Sequence, residues 1–128
     1  MANVKDMIVK DYCHEVNISA KTDTAIKEIS HKMEKNNIQH IPIIEDNKFI
    51  GLISDRDLKL VAGIDYGVDF SAGKIMTKEP YIVSPETKVV EILDYFIQNK
   101  VYAALVDGKD QLSIFTAHDA LKMLKDLD

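Results

Sequence analysis

Two pairs of residues hold most of the chemistry this sequence can do. Ser54 and Asp57 stand in FIGLISDRDLKL, and Thr116 and Asp119 in QLSIFTAHDALKML, each an alcohol followed three residues later by an acid. At that spacing the two side chains share one turn at a helix start, where the first backbone amides lack intrahelical partners. The plainest use is a capping box, in which each side chain accepts a hydrogen bond from the other residue's amide. A second use is ligand binding. A strand that ends at a helix start gathers amides and a hydroxyl at one spot, which suits a phosphate oxygen. A carboxylate would repel that phosphate, but a ribose cis-diol offers it two hydroxyl donors, the logic by which an acid reads ribose in dinucleotide folds. Arg56, between the members of the first pair, carries a planar fork that reaches phosphates; His118 takes its place in the second, with less charge and a pH dependence.

The elements that position these pairs repeat. Ser54 and Thr116 are 62 places apart, as are Asp57 and Asp119. Upstream of the first pair the pattern predicts a strand around Glu15 to Ile18, then an amphipathic helix in which Ala25, Ile26, Ile29 and Met33 recur at helical spacing, capped by Thr22 or Thr24 and ended by Asn36-Asn37. HIPII at 40–44 and KFIGLI at 48–53 read as a hairpin. Their nearly continuous apolar character implies a sheet covered on both faces, with Pro42 at an edge or a local break. A helix from Asp55 to about Ala62 closes the unit through Leu58, Val61 and Ala62. Residues 63–71 read as a connector. The pattern then restarts, with KIMTKEP at 74–80 aligned to DMIVKDY at 6–12, a strand at Tyr81 to Val83, and Ser84-Pro85 as cap and first helical residue. The next helix buries Val89, Ile92, Leu93 and Phe96; a hairpin of 102–106 and 111–115 turns around Asp107-Gly108-Lys109, and a last helix spans Ala117 to about Lys125.

Composition narrows the function. A chain of 128 residues suits one compact domain, with halves too small to be comfortable alone. Sixteen basic and 21 acidic residues give a net charge of −5, against a phosphate-tracking nucleic-acid surface. The single Cys13 permits no internal disulfide and suits a reducing cytoplasm. No stretch has the apolar core of a signal peptide or the length of a membrane span, so a soluble cytoplasmic protein is expected. His14, His31, His40 and His118 show no metal-ligand spacing, and no nucleophile elbow or phosphate-cradling glycine loop occurs, so neither metal nor enzymatic activity is expected.

The ordered set HIPIIEDNKFIGLISDRDL, MTKEPYIVSPETKVVEILDYF and IFTAHDAL resembles a tandem pair of cystathionine-β-synthase (CBS) domains, the Bateman module, over essentially the whole chain. The resemblance implies an α/β (α+β) fold of two βαββα repeats, 1–65 and 66–128, related by a pseudo-two-fold axis within one compact module. It implies two clefts between the repeats that take AMP, ADP, ATP or S-adenosylmethionine as regulatory ligand, a homodimer, and an effector protein whose identity the chain does not carry. The ligand set is then Ser54, Arg56, Asp57, Thr116, His118 and Asp119. The strand starts His40-Ile41-Pro42 and Tyr102-Ala103-Ala104 would wall the adenine, joined by Tyr81-Ile82 and Cys13 on the leading strands.

Departures between the repeats bear on occupancy. Gly51 precedes Ser54 by three residues where the second repeat has Ser113, and Pro42 has no counterpart in the second repeat. The competing reading is a structural dimerisation module whose junctions only cap helices. Which adenosine ligand, one site or two, and whether Mg²⁺ accompanies it are not written in the residues.

Overall fold

The computed structural model describes residues 3–64 and 70–127. The middle of the expected connector, and the expected repeat boundary between 65 and 66, lie outside the described residues. Two 3-10 turns (Val4–Asp6, Val9–Asp11) lead into β1 (His14–Glu15), α1 (Ile26–Asn36), β2 (His40–Glu45), β3 (Lys48–Ser54) and α2 (Asp55–Ala62). Then follow α3 (Ala72–Ile75), β4 (Thr77–Lys78), β5 (Ile82–Val83), α4 (Val89–Asn99), β6 (Ala103–Asp107), β7 (Leu112–Thr116) and α5 (Ala117–Lys125). The chain divides into two compact units, one of Asn17–Pro80 and one of Met1–Val16 with Tyr81–Asp128.

In the unit Asn17–Pro80 the sheet runs β2-β3-β4. Asp46 and Asn47, at φ 49° and 62°, make the tight hairpin turn that twisted strands favour. Pro42 lies on the outer strand, as its missing amide requires, and its carbonyl accepts the Ala20 amide at 3.1 Å. The strand expected at Glu15–Ile18 is displaced: Ala20 alone bridges Ile43, whereas His14 and Glu15 pair with β7 in the other unit. A bulge at Ile50 arises because Ile43 faces Gly51 while Ile44 faces Phe49. The core is Ile29, Ile41, Ile43 and Ile53, with Met33, Ile26 and Val61 around it. Leu58 packs against it as expected, but Ala62 faces solvent, one step past the buried stripe of α2.

The other unit has the sheet β1-β7-β6-β5, with β5 parallel to β6 and the remaining pairs antiparallel. The four residues Ala103 to Val106 are all buried, as a strand covered on both faces should be, whereas β3 alternates. Phe115, Val89, Ile92 and Phe96 form the centre, with the rings of Phe96 and Phe115 6.4 Å apart.

Both expected helix caps are wrong, for one reason. Thr24 and Thr87 close four-residue turns, their amides donating to Lys21 and Ser84 carbonyls at 3.0 and 3.1 Å, and the helices begin only at Ile26 and Val89. The first helical amides are satisfied from elsewhere in the same unit: Ile26 N by Phe70 O and Val89 N by Met7 O, each at 3.0 Å. Further along, Ala72 N donates to Thr24 O and Val9 N to Thr87 O, both at 2.8 Å. A lead-in strap thus replaces a side-chain cap, so Ser84-Pro85 forms part of a turn and the residues flanking α1 and α4 need no capping side chain.

These contacts also correct the repeat alignment. Met7 corresponds to Phe70, Val9 to Ala72 and Val89 to Ile26, an offset of 63 throughout. KIMTKEP therefore matches DYCHEVN at 11–17, so Cys13-His14 corresponds to Met76-Thr77. The offset drops to 62 only past the hairpins, where the bulge and different turn lengths change the count.

Candidate functional site

Each unit holds one strand-to-helix junction. At the first, Ser54 closes β3 in extended conformation and caps α2. Its Oγ accepts the Asp57 amide at 3.2 Å, and Asp57 Oδ2 accepts the Ser54 amide at 2.8 Å. At the second, Thr116 and Asp119 repeat the box, with Oδ2 accepting the Thr116 amide at 2.9 Å and Oγ1 accepting the Asp119 amide at 3.3 Å. The expected capping boxes are therefore both present, each on a helix of eight or nine residues that needs one. Both use Oδ2; among the described residues no hydrogen bond engages Oδ1 of either aspartate.

The junctions differ in what their hydroxyls do. Thr116 Oγ1 also donates to Asp119 Oδ2 at 3.1 Å, whereas no acceptor among the described residues takes the Ser54 hydroxyl proton. Arg56 and His118 both extend into solvent beside their helix starts.

Strand register places the walls. His40 pairs with Ser54, and Asp55 N donates to Gln39 O at 2.9 Å. Ala103 pairs with Thr116, and Ala117 N donates to Tyr102 O at 2.9 Å. The counterpart of His40 is thus Ala103 rather than Tyr102, which answers to Gln39, and the matching strand starts shift by one residue. Directly opposed residues project to one face, so His40 lies on the Ser54 side. Burial depresses its imidazole pKa, while Asp55 and Asp57 partly oppose that effect. Ile41 and Ala104 are fully buried core side chains and can meet a ligand only through their main chain; Pro42 and Ala103 are buried as well. Tyr102 and Ile82 are exposed. Tyr81 stacks on Tyr95 of α4 at 3.6 Å between ring centroids, and burial raises its phenol pKa.

Gly51 has a packing reason. A Cβ there would collide with the Met76 side chain, reaching its Cγ at 2.8 Å. In the other unit the corresponding pair is Cys13 and Ser113, the smaller thiol leaving room for a hydroxymethyl; burial raises the thiol pKa and the Ser113 hydrogen bond opposes it.

One contact has no sequence-based forerunner. His14 Nδ1 lies 3.3 Å from Asp119 Oδ2, with the imidazole well exposed. Thr77 holds the corresponding place near Asp57, by pairing with Leu52 where His14 pairs with Ile114. Extending the 63-residue offset upstream of Tyr81 would have shown it. Beside Asp119 a groove of about 360 Å³ runs between the lead-in turns and α5, lined by Met7, Tyr12, Met123 and Leu127 with Asp11, Lys122 and Asp126 at its rim. It meets the junction only at Asp119, and its carboxylates disfavour a phosphate there. Among the described residues no three His, Cys, Asp or Glu side chains converge to hold a metal ion, and no helix is long and apolar enough to cross a membrane.

Comparison with known proteins agrees with this architecture. The structure superposes on the CBS domain pair of protein MJ0100, in complex with 5′-methylthioadenosine and S-adenosyl-L-methionine, with a TM-score of 0.85 at 20% identity over 95% of this chain and 98% of that one. It superposes on CBSX2, in complex with AMP, with a TM-score of 0.83 at 20% identity over 94% and 97%. In sequence it is 37% identical over 70 residues to inosine-5′-monophosphate dehydrogenase of Aquifex aeolicus, a match covering 54% of this chain and only 14% of that enzyme. The chain also spans under half of a 17.7 kDa protein of Acidianus ambivalens, at 48% of its length. The CBS domain model matches residues 9–62 and 72–126, which straddle the packing units because each lead-in packs with the body of the other repeat. The chain belongs to the CBS domain family and carries two CBS domains in tandem.

Proposed function

We propose that the chain is a regulatory module that binds adenosine-containing ligands at its two junctions and alters the activity of a partner protein. The observation that carries this reading is the Oδ1 of each half-buried capping aspartate, which no hydrogen bond among the described residues engages, beside a helix start whose dipole suits a phosphate. The ribose diol goes to Asp57 or Asp119, the phosphate to the helix start with Ser54 or Thr116 and with Arg56 or His118, and the base to the strand starts. The complexes of MJ0100 with methylthioadenosine and S-adenosylmethionine, and of CBSX2 with AMP, favour the adenosine class. A ligand can control a partner only by binding two arrangements with different affinity. The role is regulatory rather than catalytic, in the cytoplasm, with the chain paired as a homodimer through exposed apolar helix side chains such as Leu60, Ile97 and Leu121.

Isothermal titration with AMP, ADP, ATP and S-adenosylmethionine tests the reading. Absence of both heat and thermal stabilisation at millimolar ligand defeats it. A purely structural pairing module is the second reading, favoured by the completeness of both capping boxes. It requires that Asp57→Ala lower stability without changing any nucleotide affinity.

A further inference from the structure

We propose that His14 sets the difference between the two junctions by occupying the carboxylate that would hold the ribose at the second. This inference rests on the adenosine reading above and adds a residue that tunes it. Asp119 Oδ2 accepts two hydrogen bonds, from the Thr116 amide at 2.9 Å and the Thr116 hydroxyl at 3.1 Å, and His14 Nδ1 lies 3.3 Å from it as an ion-pair partner. Among the described residues Asp57 Oδ2 accepts only the Ser54 amide, at 2.8 Å. A cis-diol brings two hydroxyl donors to one carboxylate, and a carboxylate has about four lone-pair sites. At Asp57 three of these remain open, counting both oxygens. At Asp119 the capped oxygen is filled by Thr116, so a diol must reach Oδ1 with the imidazole standing beside the carboxylate. The imidazole is the neighbour that can move aside: its side chain is 57% exposed, while that of Asp119 is only 15% exposed and fixed by its cap. The same strand position in the other unit carries Thr77, which makes no hydrogen bond to Asp57 among the described residues. His14 therefore acts as a built-in competitor for ribose, and the second junction fills after the first.

The test uses adenosine, which has no phosphate for an imidazolium to attract. With the first junction weakened by Asp57→Asn, titration reads the second; there His14→Thr should tighten adenosine binding about 5-fold, the equivalent of one modest hydrogen bond. The reciprocal Thr77→His, read with Asp119→Asn, should weaken the first junction by a similar factor. A gain in affinity cannot come from misfolding, and the reciprocal variant decides the matter if His14→Thr folds poorly. Unchanged or weaker binding in His14→Thr, with adenosine still bound by the wild type, overturns this inference and leaves the adenosine reading standing. No adenosine binding by the wild type or any variant removes both.

Discussion

Asp57 serves two masters, and Asp57→Asn separates them. In the fold its carboxylate accepts one amide, that of Ser54, at 2.8 Å. An asparagine oxygen can accept the same amide, so the cap survives and only the favourable charge at the start of α2 is lost, about 0.5 kcal/mol. Asp57→Ala removes the acceptor as well and should cost about 1 kcal/mol. Ligand binding asks more of the charge. Two ribose hydroxyls donating to a carboxylate form charge-assisted bonds, roughly twice as strong as neutral ones. Losing the charge should forfeit about 1.5–3 kcal/mol, or about 10- to 100-fold in Kd for AMP at the first junction. Urea unfolding reads the first quantity, and calorimetric titration with AMP, assigned by the amide shifts of Ser54 and Arg56, reads the second. The reasoning fails if Asp57→Asn leaves AMP affinity within about twofold of the wild type while Asp57→Ala shows the capping loss, because the carboxylate is then only a cap.

Three further outcomes follow from the same structure. Gly51→Ala should destabilise by about 1–3 kcal/mol through the collision with Met76, and adding Met76→Ala should recover part of that; strictly additive urea midpoints would contradict the packing. Glu45 Oε2 accepts both the Thr22 amide at 3.0 Å and the Thr22 hydroxyl at 2.8 Å, and these bonds lower its pKa. Its contribution is therefore present above the ordinary carboxylate range and lost as pH falls through the lowered value, so Thr22→Val should shrink the stability difference between neutral and acid pH in urea titrations. His40 has its pKa depressed by burial, so the unfolded chain binds its proton first; stability falls as pH drops below the ordinary imidazole range, and His40→Gln should flatten that part of the profile measured by thermal unfolding.

Most of the scaffold could be read from periodicity and turn chemistry. Ile26, Ile29 and Met33, and again Val89, Ile92 and Phe96, are the buried stripes their spacing foretells, and Asn37 ends α1 in the left-handed conformation. The capping boxes were legible because a hydroxyl and an acid three residues apart interact locally. What failed were positions whose partners lie far along the chain. Thr24 looks like a cap, but the Ile26 amide it would satisfy is already taken by the Phe70 carbonyl, which no local rule can supply, and Ser84 opens a turn instead, with α4 starting five residues later on the Met7 carbonyl. Likewise, an alignment of DMIVKDY with KIMTKEP matches residue types, whereas the ladder that sets register matches Cys13-His14 with Met76-Thr77. That slip hid His14, whose contact with Asp119 exists only because the lead-in returns to β7.

The two junctions show which features of such a site can vary independently. The box stabilises the first turn of helices as short as α2 and α5, and both copies keep it intact. The surrounding positions carry no such burden, and there the copies diverge in a reciprocal way. Beside the first junction β2 supplies an imidazole, His40, and β4 a threonine, Thr77; beside the second, β6 supplies only the Ala103 methyl and β1 the imidazole of His14. One histidine is half-buried with its pKa lowered by burial, which on the proposed reading suits a wall for an uncharged base. The other is exposed and lies beside the Asp119 carboxylate, where the proposed reading puts the sugar. On the proposed reading, the duplicated scaffold tunes its two sites without altering either cap, because the residues that differ stand on strands that the cap does not depend on.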